Sequence, residues 1–134
     1  AIAPTYVQHV ERRRTEPYVL AQMVAGSVAP GAGEAKNSWL TGSASWCYVA
    51  VAQHVLGIRP EIEGVLIDPC VPPNWERVAV TRVFRGARYD IEILNPRKVS
   101  KGVRLMSVDG VIAQGSLIRP ASPGAAVTVR VKHG

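Results

Sequence analysis

Two cysteines in 134 residues are too few for a disulfide scaffold. Cys47 lies in an apolar stretch and reads as a small core residue. Cys70 sits in Asp68-Pro69-Cys70-Val71-Pro72. Neither has a partner at metal-ligand spacing among His9, His54 and His133, so no metal site is expected, and the setting reads as cytoplasmic. No apolar run approaches the ~20 residues that span a bilayer, which leaves no membrane partner. Ala1-Ile2-Ala3-Pro4 shows no basic region followed by an apolar core, so no secretory signal is read there. Met is also missing from position 1, and the expectation is a larger polypeptide cut at this point.

Aromatic residues make up only 6% of the chain. None interleaves with Arg12-Arg13-Arg14, the one tight basic cluster, which adjoins Glu11 and Glu16. A base-stacking platform would need such aromatics. The net charge of +6 is therefore read as 16 Lys and Arg spread over a solvated surface, with no nucleic acid as partner.

What is present is an ordinary globular composition, 47% hydrophobic and 19% charged. A chain of this length can bury roughly two-thirds of its unfolded surface. The pattern changes near Pro60. Before it, Thr15 caps a predicted helix over 15–26, with Glu16 and Pro17 in its first turn and Gly26 at its end. Residues 28–36, with Pro30, Gly31 and Gly33, read as a loop. A second helix is expected from about Ser43 to Gly57. Its apolar residues go almost all the way round, so Trp46 reads as core and His54 as a satisfied buried histidine. Two helices and one small β unit cannot surround such a helix, which points to absent helices from the same parent protein.

After Pro60 the period is two. Val78, Val80, Arg82 and Phe84 form one face of a strand. Arg85-Gly86 turns into Tyr89, Ile91 and Ile93. Asp109-Gly110 is a hairpin signal, and Val127, Val129 and Val131 make a last half-buried strand. Short strands at this spacing suggest an antiparallel sandwich.

The run Gly33-Glu34-Ala35-Lys36-Asn37-Ser38-Trp39-Leu40-Thr41-Gly42 is a polar loop that opens straight into the second helix. Backbone N–H groups at a helix start have no internal acceptor, and the helix dipole adds positive charge there. A hydroxyl and a glycine at that point can cradle an anion. Taken alone, Thr41 is a helix cap, Glu34 and Lys36 form an ion pair shaping the loop, Trp39 is a packed residue and Asp68 fixes the turn at Pro69.

That run, together with Glu16-Pro17-Tyr18-Val19-Leu20-Ala21-Gln22-Met23, Leu56-Gly57-Ile58-Arg59-Pro60, Ile67-Asp68-Pro69-Cys70-Val71-Pro72 and Val80-Thr81-Arg82-Val83-Phe84-Arg85-Gly86, resembles the C-terminal portion of the glycoside hydrolase family 94 disaccharide phosphorylases of the cellobiose and cellodextrin type. The resemblance covers about residues 15–115. It implies an α+β chain: residues 1–60 as the last helices and phosphate-site loop of an (α/α)6 catalytic barrel, incomplete here, and 61–134 as a C-terminal β-sandwich domain. It further implies inverting phosphorolysis, in which phosphate attacks the anomeric carbon of a β-linked glucosyl disaccharide and α-glucose 1-phosphate leaves with a free sugar. There is no cofactor, since inorganic phosphate is a substrate, and the full-length family is expected to be homodimeric.

Carried over by motif, Thr41 and Gly42 bind phosphate and Gln22 lies near the reacting sugar. The family's other phosphate ligands and its catalytic Asp lie upstream of the matched motifs. Asp68, Asp90 and Asp109 match none of them, so no catalytic residue is assigned in this chain and the chain alone is expected to be inactive. Ser43 stands where Thr is commoner. The related phosphorylases of other disaccharides, the end domain of cyclic β-1,2-glucan synthase and a non-catalytic carbohydrate-binding β-sandwich remain alternatives. The last is weakened because the β half offers only Trp75, Phe84 and Tyr89 as aromatic contacts.

Overall fold

A computed structural model describes residues 10–16, 19–39 and 42–134. They divide into two units, 1–49 and 50–134.

The first unit opens with a short helix, α1 (Val10–Arg13). Strand β1 (Met23–Val24) pairs antiparallel with β2 (Ala35–Lys36), Met23 opposite Lys36 and Val24 opposite Ala35. The intervening turn is closed by Ala25 N–H to the Glu34 carbonyl at 2.8 Å and Gly33 N–H to the Ala25 carbonyl at 3.0 Å. The helix expected over 15–26 is not formed by the described residues of that stretch, and Met23–Val24 is extended instead. Cap signals are local, and an isolated helix of this length is marginal without a packed face. Pro30, Gly31 and Gly33 instead fold the chain back so that β2 satisfies the backbone of β1. The unit ends in α2 (Gly42–Val49), which starts within one residue of its expected position.

No residue of α2 is buried; Trp46 is 76% exposed. This corrects the expectation of a core tryptophan. The large side chains Trp46 and Tyr48 stay exposed, while Cys47 and Val49 are half-buried.

The second unit begins with a π-helical segment, Ala50–Val55, on which His54 is exposed rather than buried. Gly57 ends it at φ 66°. A Cβ there would lie 2.1 Å from the Asp68 backbone, so only glycine fits this approach. Strands β3 (Ile58–Glu61), β4 (Gly64–Ile67) and β9 (Leu117–Ile118) form a three-stranded antiparallel sheet. A five-stranded sheet runs in the order β5 (Arg77–Phe84), β6 (Ala87–Leu94), β10 (Ala126–His133), β7 (Val103–Val108) and β8 (Val111–Ile112).

The two-residue period sets the core. Tyr89, Ile91 and Ile93 from β6, and Val127, Val129 and Val131 from β10, are buried against Ile58, Val65, Ile67 and Ile118 of the smaller sheet. The Tyr89 hydroxyl accepts the Ala121 N–H at 2.9 Å. Asp109 and Gly110 both have positive φ, 48° and 83°, as a type I′ turn requires, and Arg85-Gly86 does the same at 48° and 79°.

The sheet is not wholly antiparallel. β10 runs parallel to β6, Val129 opposite Ile91 and Val131 opposite Ile93. Alternation gives the buried face of a strand but carries no direction. Three strands intervene between β6 and β10, enough chain for a crossover to a parallel neighbour.

Candidate functional site

The predicted phosphate residues meet the structure unequally. Thr41 lies outside the described residues. Gly42 is the first residue of α2, exposed, with nothing within 4 Å of the position a Cβ would occupy. A backbone open on that side lets a ligand approach the helix start without a side chain in the way.

Gln22 is exposed and sits beside the same motif. Its backbone N–H donates to the Asn37 carbonyl at 3.4 Å, and the Asn37 side-chain amide donates to Gln22 Oε1 at 3.3 Å. The β1–β2 pairing dictates this meeting, since Met23 and Lys36 are opposed one residue further in. The structure thus brings the predicted sugar-side glutamine onto the loop leading to Gly42. Its amide nitrogen retains donors for a hydroxyl.

On the other side of the loop is an open cleft of about 830 Å³, lined by Glu11, Arg14, Thr15 and Glu16 and by Lys36, Asn37 and Ser38 of the motif. Sequence reasoning missed this wall. It left Arg12-Arg13-Arg14 as solvated surface, yet each guanidinium has a named partner. Arg12 Nε donates to the Ala32 carbonyl at 3.0 Å, Arg13 donates to the Val19 carbonyl, and Arg14 pairs with Glu34 at 2.9 Å. Glu34 therefore takes Arg14 as its partner, in place of the expected Lys36. Adjacent acidic and basic residues were the visible signal, but the partners of Arg12 and Arg14 lie twenty residues away and that of Arg13 six.

Trp39 is 71% exposed, not packed, and its indole N–H donates to Glu16 Oε1 at 2.9 Å. The Glu16 carboxyl is held below the usual range, first by a hydrogen bond from its own backbone and then by the Trp39 and Ser38 side chains. At neutral pH it is an ionised acceptor, which suits holding a donor in place rather than protonating a leaving group.

In the second unit, Asp68 meets Arg59 at 3.4 Å and Lys101 at 3.6 Å, so its carboxylate bridges two cations rather than simply closing the turn at Pro69. Asp90 is also shifted down, by hydrogen bonds from Thr81 and then Arg88. Among the described residues there is no cluster of three or more His, Cys, Asp and Glu that could hold a metal, and no helix is long and apolar enough to cross a membrane.

A sequence profile described as "Glycosyl hydrolase 94 superfamily, catalytic domain" matches residues 1–57, a span that includes Gln22, Thr41, Gly42 and the cleft. The N,N'-diacetylchitobiose phosphorylase of Vibrio proteolyticus is 40% identical over 108 residues, 81% of this chain. That of Vibrio furnissii is 38% identical over 120 residues, 90% of this chain. The solabiose phosphorylase of Paenibacillus borealis is 35% identical over 116 residues, 87% of this chain. The chain spans only 14–15% of the length of these relatives.

Proposed function

Since the chain belongs to the glycoside hydrolase 94 family of disaccharide phosphorylases, we propose that it works as the C-terminal portion of an inverting phosphorylase. In this reading phosphate attacks the anomeric carbon of a β-linked disaccharide of the cellobiose type, giving α-glucose 1-phosphate and a free sugar. Residues 1–60 supply the last part of an (α/α)6 barrel, residues 61–134 a β domain that supports a homodimer, and the protein is cytoplasmic. The observation that carries the reading is the match to a catalytic-domain profile over residues 1–57. The exposed apolar face of α2 supports it, because barrel helices beyond this chain would cover that face.

The chemistry assigns each residue a role. Phosphate carries its own nucleophilic charge, so the attacking side needs no second carboxylate. It needs a cradle, which Thr41 and the Gly42 end of α2 provide through a hydroxyl and free N–H groups. Gln22, anchored to Asn37 through its carbonyl oxygen, offers its amide N–H to a sugar hydroxyl. The general acid is supplied from outside this chain. Such acids are worth ~10²–10⁴ in rate, so the chain alone is inert.

The test is release of α-glucose 1-phosphate from inorganic phosphate and a panel of cellobiose, N,N'-diacetylchitobiose (read as its 1-phosphate product) and solabiose. It is run on this chain and on a polypeptide joining it to the remaining catalytic domain. The proposal expects phosphate-dependent turnover from the joined polypeptide alone, strongly weakened by Thr41→Val. Turnover by the isolated chain, or hydrolysis in place of phosphorolysis, overturns it.

A further inference from the structure

The loop that leads to Thr41 is gripped from both flanks. On one side β1 holds it through the Met23–Lys36 pairing and the Gln22–Asn37 bonds. On the other, Arg12 donates to the Ala32 carbonyl at 3.0 Å, Arg14 pairs with Glu34 at 2.9 Å, and Glu16 accepts the Trp39 indole N–H at 2.9 Å. Glu16–Trp39 is the grip nearest to Thr41, two residues away in sequence.

We infer that Glu16 is a positioning residue for the anion loop: through the Trp39 indole it holds the stretch before Thr41-Gly42 in place and thereby sets the affinity for phosphate. The inference rests on the function proposed above. A carboxylate pointing at a bound phosphate would repel it. Here one carboxylate oxygen takes the indole N–H at 2.9 Å. Its charge is therefore directed into the loop, where a charge-assisted bond is stronger than a neutral one. A loop already ordered does not have to be ordered when the anion binds, and that saving appears in affinity rather than in the chemical step. Trp39 suits this use because its rigid ring has a single donor at its edge.

The test compares Glu16→Gln, Trp39→Phe and the double variant in the joined polypeptide. Steady-state kinetics are measured separately in phosphate and in disaccharide, with hydrogen exchange of residues 34–39 alongside. Each single variant is expected to raise the phosphate KM about tenfold, the effect of losing one charge-assisted hydrogen bond. The disaccharide KM stays unchanged and kcat stays within about twofold, while exchange of the loop quickens. The double variant is no worse than the poorer single one, because both remove the same bond. Trp39→Phe keeps the ring, so it reports on the bond even if Glu16→Gln perturbs folding.

An unchanged phosphate KM with faster exchange means a loop staple without a role in binding and overturns the inference alone, as does a loss confined to kcat. A wild-type polypeptide that carries out no phosphorolysis overturns the function proposed above and this inference with it.

Discussion

Asn37 donates its side-chain amide to Gln22 Oε1 at 3.3 Å across the β1–β2 pair. The bond occupies the acceptor end of Gln22 and leaves its amide nitrogen as the donor end. Under the proposed function, Gln22→Leu keeps a similar volume and removes that donor. The expected outcome is a loss of about fivefold in kcat/KM for the disaccharide, the scale of one neutral hydrogen bond. Phosphate KM changes by less than about twofold. Asn37→Ala is expected to give a smaller loss in the same parameter, because it frees Gln22 without removing it. Kinetics with each substrate varied in turn check both.

The type I′ turn at Asp109-Gly110 separates conformational cost from steric cost. A Cβ on Gly110 meets nothing within 4 Å, and its φ is +83°. Gly110→Ala is therefore expected to cost about 1 kcal/mol, the price of a left-handed residue alone. Gly57→Ala carries a similar φ, but its Cβ would lie 2.1 Å from the Asp68 backbone. It is expected to cost well over ~3 kcal/mol or to prevent folding of this region. Urea unfolding of the two variants checks the contrast, which fails if the two losses are equal.

Tyr89 is fully buried, yet its hydroxyl accepts the Ala121 N–H at 2.9 Å. Tyr89→Phe keeps the ring in the core and leaves that amide without its acceptor. A loss of ~1–3 kcal/mol is expected, with the slope of the denaturation curve unchanged. A neutral substitution would mean that solvent reaches the Ala121 amide.

The parts of this molecule that sequence pattern reveals are those whose physics is local. Tyr89, Ile91 and Ile93 sit on one face because a strand alternates, whatever its neighbours. Asp109-Gly110 turns because both residues tolerate positive φ. Gly57 stops the helical stretch for the same reason. The parallel pairing of β10 with β6 was hidden, because Val129 is buried equally well beside Ile91 in either direction. The first helix was misread because Met23–Val24 is extended by a partner strand twelve residues on, and the hydroxyl of Thr15 caps nothing: it is buried without a hydrogen-bond partner. In the candidate site the start of α2 at Gly42 was legible from the loop-to-apolar transition. The grip of Glu16 on Trp39 was not, since it spans 23 residues and has no spacing rule.

Asp90 is one carboxylate through which the stability of the second unit depends on acid pH. Asp90 Oδ1 accepts from the Thr81 hydroxyl at 2.7 Å and from Arg88 Nε at 3.1 Å. These bonds hold its pKa below the ordinary value of 3.8, the Thr81 bond contributing most and Arg88 next. A folded-state pKa lower than the unfolded one means that the unfolded chain binds the proton more readily. The stabilisation is therefore fully present above the unfolded value and fades as pH falls through the folded one. Asp90→Asn is expected to flatten the fall of the urea midpoint below about pH 4 while leaving its shape between pH 6 and 8 unchanged. Thr81→Val is expected to flatten the same limb in part, because the Arg88 contact survives. If Asp90→Asn changes the midpoint equally at every pH, the hydrogen bonds do not distinguish the ionised carboxylate from its neutral analogue, and the acid limb belongs to another group.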